Sequence, residues 1–250
     1  ANTKEVSLQH LKEECIIPVF SKDNESTISH YQFIQKTREV VQNLFPELEV
    51  AEPQIRTSHI VKGRIPSAIG KPAKELLESE KTLYYERCAF VMELPQIRES
   101  VNGNSLALTV GGVRAYNQEN LYSRKSPEKF KIFIGFKNMV CTNLCISTDG
   151  LADQVRVSSV NQFADEVKKL LTGYDRETHL SRMEIMSQVK LSEAQFAHFI
   201  GKLRMYQHIE KEEQYILPVQ LNDGQINTVV KNYYKDPHFK RSEDGSIDMW

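Results

Sequence analysis

The sequence predicts an α+β protein in which an antiparallel β-meander with packed helices is followed by a helical C-terminal part. Three observations carry that expectation. Apolar and polar residues alternate in several runs between about residues 54 and 157. Beyond residue 158 the apolar spacing changes from two to three or four. Ser29, Ser159, Ser192 and Asn222 each stand three residues before a Gln, the spacing of a helix-opening capping box. The chain is therefore read as two parts, 1–157 and 158–250.

Ser29 with Gln32 opens a helix along which Phe33, Ile34, Thr37, Val40, Val41, Leu44 and Phe45 recur at helical spacing up to Pro46. Gln54–Ile65 is β-branched and alternating, and Pro72–Glu78 reads as a short helix with Pro72 in its first turn. Leu83–Leu94 is expected to be one strand, with Tyr84, Glu86, Cys88, Phe90, Met92 and Leu94 on one face. Asn102-Gly103 supplies a hairpin turn, and Leu106, Leu108 and Val110 return. Gly111-Gly112 follows; no helical pattern opens behind it, so it reads as a bulge or a close backbone approach. Phe130, Ile132, Ile134 and Phe136 alternate again, and Val140–Ser147 is a further strand closed by an Asp149-Gly150 turn.

In the second part, the Ser159 helix carries Phe163, Val167, Leu170 and Leu171 and stops at Gly173. Glu177–Gln188 is a second helix. The Ser192 helix carries Phe196, Phe199, Ile200 and Leu203, and the Asn222 helix carries Ile226, Val229, Val230 and Tyr233.

A net charge of −1 excludes a chain that coats DNA by bulk charge, so electrostatic partners must be read locally. The longest apolar runs, such as Cys15–Phe20, fall far short of the ~18 residues of a membrane span. Four cysteines are too few for a secreted disulfide scaffold, and a cytoplasmic setting is expected. The missing initial Met and the final Trp250 lead us to expect a chain cut at both ends.

Motifs of chemistry are sparse. The sequence holds no P-loop, no G-x-G-x-x-G and no G-x-S-x-G elbow, so no cofactor is expected. Cys141 and Cys145 put two thiols on one strand face, yet no second ligand pair accompanies them, and no metal is expected. His59, Glu86 and Arg114 all fall in predicted strands and are the residues that an acid–base site would have to bring together. Glu177–Gln188 and Glu193–Gln207 have helix-turn-helix proportions. The second of these helices begins with an acid, which repels phosphate, so ordinary helix packing is the reading.

Local charge says more. Residues 1–53 carry 5 Lys/Arg against 9 Asp/Glu, whereas residues 54–137 carry 14 against 8. Within the basic stretch lie Arg114, Arg124, Lys125, Lys129, Lys131 and Lys137, interleaved with Tyr116, Tyr122 and Phe133. On a strand, Lys129, Lys131, Phe133 and Lys137 share one face while Phe130, Ile132, Ile134 and Phe136 form the core face. A basic sheet face bearing an aromatic is the composition of a single-stranded nucleic-acid platform. It is equally that of a solvated face whose lysines block edge pairing.

The run VGGVRAYNQENLYSRKSPEKFKIFIGFKNMVCTNLCISTDG (Val110–Gly150), with IVKGRIPSAIGKP (Ile60–Pro72) and TLYYERCAF (Thr82–Phe90), resembles an uncharacterised bacterial family found on mobile elements. The similarity spans nearly the whole chain. GFKNMVCTNLC also resembles the core of a broader group of phage- and plasmid-related proteins. The resemblance implies a cytoplasmic bacterial protein of a conjugative element, plasmid or prophage, and carries no catalytic residues. Together these readings lead to the expectation of a non-enzymatic single-stranded DNA-binding module. A protein-interaction or regulatory module that self-associates through its helical part is the alternative. An enzyme with an unrecognised active site is the second.

Overall fold

The computed structural model describes residues 3–15, 27–101, 103–116, 127–136, 138–140, 146–148, 150–209, 221–235 and 242–248. In chain order they form β1 (Lys4–Val6), α1 (Leu8–Glu13), α2 (His30–Leu44), β2 (Gln54–Thr57), β3 (Ile60–Arg64), β4 (Lys81–Tyr85), β5 (Arg87–Val101) and β6 (Asn104–Ala115). There follow β7 (Glu128–Gly135), β8 (Asn138–Val140), β9 (Ile146–Thr148), β10 (Leu151–Val157), α3 (Val160–Thr172), α4 (Arg176–Gln188), β11 (Lys190–Leu191), α5 (Glu193–Tyr206), α6 (Asp223–Lys235) and β12 (Ile247–Asp248). The protein is α+β, and its contacts divide it into two compact units, 1–176 and 177–250.

The first unit is built on a six-stranded antiparallel sheet in the order β1-β2-β5-β6-β7-β10. β5 and β6 form the long central hairpin, turned at Gly103, whose φ of 76° lies in the left-handed region that glycine tolerates. The single strand expected over Leu83–Leu94 is two strands. At Glu86 the chain leaves its pairing with β3 and enters the ladder with β2 and β6. Pro72–Glu78 is not a helix but holds only the 3-10 turn Ala73–Glu75, with a second at Glu78–Glu80. β8 and β9 pair antiparallel, and the strand expected over Val140–Ser147 lies mostly outside the described residues.

One face of the sheet is covered by α2 and α3. The Ser29 capping box forms as the spacing predicts, with Ser29 Oγ accepting from Gln32 N at 3.0 Å and Gln32 Oε1 from Ser29 N at 2.8 Å. The apolar stripe of α2 then meets the sheet through Phe33, whose ring lies 5.0 Å from Phe90, 4.9 Å from Phe130 and 5.6 Å from Phe163 of α3. Each such fully buried ring stabilises the fold by about 1.5–3 kcal/mol. Gly112 makes the approach possible: a Cβ there would lie 2.7 Å from Phe33 Cζ and 2.9 Å from the Lys131 carbonyl. Helix α3, read from sequence as the start of the helical part, belongs to this unit because Phe163, Val167, Leu170 and Leu171 are buried against the sheet layer.

A buried ionic clip fixes where α2 begins. Arg114 (0% exposed) pairs with Glu128 (2% exposed), and its guanidinium lies 4.3 Å from the Tyr116 ring and 4.4 Å from the Phe130 ring. Both carboxylate oxygens of Glu128 accept from Ile28 N, at 3.2 and 3.1 Å, while Arg114 Nη1 donates to the Ile28 carbonyl. The backbone two residues before the helix is thus gripped from both sides.

In the second unit Phe196 of α5 stacks on Tyr233 of α6 at 4.5 Å, and Ile226, Leu203 and Met183 are buried. The Ser192 and Asn222 caps form as expected. β11 pairs with β12.

Candidate functional site

Alternation along the strands assigns the remaining side chains of the sheet to the face opposite α2 and α3. Arg56 of β2, Arg87 of β5, Lys129 and Lys131 of β7 and Arg156 of β10 stand on that outer face. Arg56, Lys131 and Arg156 are exposed; Arg87 and Lys129 are half-buried. Among the described residues Arg56, Lys131 and Arg156 form no ion pair. In register, Arg56 faces Ala89, Ala89 faces Val113 and Val113 faces Lys131, while Arg156 faces Lys129. Three strand spacings separate Arg56 from Lys131, about 14 Å at the backbone. The central strands carry the small residues Ala89, Gly111, Val113 and Ala115, with Arg87 opposite Ala115 at the start of β5. Among the described residues, strand register places the acids Glu5, opposite Arg56 on the edge strand, and Glu93 on this face.

The expected site residues fare unevenly. Lys129 and Lys131 stand on the outer face as read. Phe133 shares that face but is 0% exposed, which corrects the expectation of a ring offered to solvent. Its ring occupies the space over Gly111, where a Cβ would collide with Phe133 Cζ. Arg114 and Tyr116 are also corrected: they lie on the helix-covered side and are 0% and 2% exposed. Tyr122, Arg124, Lys125 and Lys137 lie outside the described residues, as do Cys141 and Cys145. Sequence reading missed Arg56, Arg87 and Arg156. Two of them were visible in the runs Gln54-Ile55-Arg56-Thr57 and Gln154-Val155-Arg156-Val157, where Gln and Arg stand two apart and must share a face.

Where β5 meets β6, a groove of about 370 Å³ opens on the outer face, lined among others by Gln54, Arg56, Val91, Glu93, Thr109 and Phe136. The ladder shifts register between Leu94 and Arg98, setting Pro95–Ile97 against the single step from Leu108 to Ala107. Such a bulge bends the strand pair, and the groove lies at the bend.

Acid–base candidates are less developed. His59 Nε2 lies 3.4 Å from Glu86 Oε2, but the histidine is 71% exposed, whereas Arg114 is buried and paired with Glu128. The three residues do not converge. His30 is buried, its Nε2 bonded to the Tyr85 carbonyl at 2.8 Å and its Nδ1 without a hydrogen-bond partner. Burial first, and the Arg114 charge second, hold its pKa down at about 3, so the ring is neutral and structural. Among the described residues no three His, Cys, Asp or Glu side chains are placed to hold a metal ion, and no helix is long and apolar enough to cross a membrane.

No curated protein and no solved structure matches the chain. The family match found says nothing of mobile elements, phages or plasmids. It covers residues 1–250 and is described as "Domain of unknown function, B. Theta Gene description (DUF3871)"; the chain belongs to that family.

Proposed function

We propose that the outer sheet face binds single-stranded nucleic acid through its phosphates, without catalysis. The observation that carries this reading is the cationic band of Arg56, Arg87, Lys129, Lys131 and Arg156, three of whose members are exposed and form no ion pair among the described residues. Like charges held on one face repel, and an anionic chain laid across them removes that cost while releasing its own counterions. With Phe133 buried, stacking is not part of the reading, and affinity is electrostatic. A cytoplasmic setting and a place on a mobile element, implied by the resemblance above, fit such an activity and belong to the same proposal.

The test is fluorescence anisotropy with labelled single- and double-stranded DNA over a range of salt. Three to five phosphate contacts on a single strand give a slope of log K against log salt of about −2 to −3.5. Lys131→Glu/Arg156→Glu should weaken binding about tenfold or more and flatten that slope. Absence of binding at low salt, or equal binding by the double variant, would refute the proposal.

Self-association through the helical unit has one observation in its favour: Tyr234 is 62% exposed beside buried Tyr233, and Met205 is 68% exposed. Light scattering on a size-exclusion column measures it directly.

A further inference from the structure

The groove on the outer face holds two opposite charges that do not neutralise each other. Arg56 and Glu93 both line it, and among the described residues neither forms an ion pair. Register explains their separation. Arg56 lies opposite Ala89, four residues before Glu93 on β5, which puts the two backbones about 14 Å apart along the strand. Between them stand Gln54 and Val91, directly opposite each other. The floor is made of small side chains, Ala89, Ala107 and Thr109, and the Thr109 hydroxyl is already donated to the Gly135 carbonyl at 3.0 Å. Beyond the bulge, Ser105 and Leu106 form the far wall. Its 370 Å³ falls among small-molecule sites of about 300–1,000 Å³.

We infer that this groove is a guanine site on the path of a single-stranded nucleic acid. A carboxylate only accepts hydrogen bonds and a guanidinium only donates them, so a ligand between Glu93 and Arg56 must offer donors to one and acceptors to the other. Guanine does so on adjoining edges. Its N1–H and N2 amino group are neighbouring donors for the two Glu93 oxygens. Its O6 and N7 are the acceptor pair that arginine takes in a bidentate grip. Thymine offers one N–H between two carbonyls, and cytosine and adenine offer one amino group without an adjacent N–H. Val91 and Phe136 give the ring an apolar seat, and Arg56 joins the groove to the cationic band. The inference rests on the nucleic-acid reading for its polymer, whereas the groove's choice of base stands on Arg56 and Glu93.

Two measurements separate the fates of the two ideas. The first compares, by anisotropy, thymidine tracts without and with one central guanine on wild type, Glu93→Gln and the groove-filling Ala107→Phe. The second compares guanosine and thymidine monophosphates by saturation-transfer NMR. A single guanine should tighten wild-type binding about tenfold, and both variants should level the two tracts. Equal binding of the tracts by wild type, or a preference that survives Glu93→Gln, overturns the guanine site and leaves phosphate binding standing. Guanosine monophosphate bound over thymidine monophosphate by a protein that binds neither tract keeps the guanine site and sinks the polymer reading. Failure of both tracts and both nucleotides removes both ideas.

Discussion

Replacing Glu128 by Leu tests how α2 is held on the sheet. The carboxylate is 2% exposed and serves, among the described residues, the Ile28 N–H and the fully buried Arg114 guanidinium. Its removal strips a hydrogen-bond acceptor from a buried backbone N–H, worth about 1–3 kcal/mol. It also takes the carboxylate from beside a buried cation, for which breaking one side of a pair costs about 3–5 kcal/mol. The two losses overlap, because the same oxygens serve both, so the expected cost is about 4 kcal/mol rather than their sum. With an m-value of about 2–3 kcal/mol per molar in urea, the unfolding midpoint of the first unit falls by roughly 1.5 M. Far-UV circular dichroism against urea measures that, and hydrogen exchange at the α2 amides localises it. The double variant Arg114→Leu/Glu128→Leu should be more stable than Glu128→Leu, since it leaves neither charge of this pair in the interior without the other. A single-variant cost below about 1 kcal/mol, or a double variant less stable than the single, would refute the clip as the anchor of α2.

Two further outcomes follow from the same unit. Gly112→Ala should lower stability by about 1–3 kcal/mol by thermal denaturation, because Phe33 and the Lys131 carbonyl leave no room for the added carbon; an unchanged melting temperature would mean that α2 yields freely. His30, neutral in the fold down to about pH 3, takes up its proton near pH 6.5 when unfolded. Its contribution is therefore complete above pH 6.5 and lost as pH falls toward 3, at up to about 1.4 kcal/mol per pH unit. His30→Gln should remove that share of the slope in urea titrations run between pH 7 and 4, and equal slopes would refute the assignment.

How much of this was legible in the sequence depends on what each pattern can encode. The Ser29, Ser192 and Asn222 caps were readable because capping is local: side chain and backbone three residues apart decide it. The sheet between residues 54 and 157 was readable because period-two alternation survives in β5, β6 and β7. The break at Glu86 was not, since it depends on a change of partner from β3 to β2 and β6, and partners are invisible to a one-strand pattern. β1 and β11 were missed because three and two residues are too short to show any period.

Phe133 shows the same limit at the candidate site. Alternation correctly assigns it to the face of Lys129 and Lys131, but a side of a sheet is not yet an open surface. The ring lies in the space that a Cβ on Gly111 would take, and it is 0% exposed. The Gly111-Gly112 pair thus receives an aromatic on each side of the sheet, Phe133 on the outer face and Phe33 on the helix face.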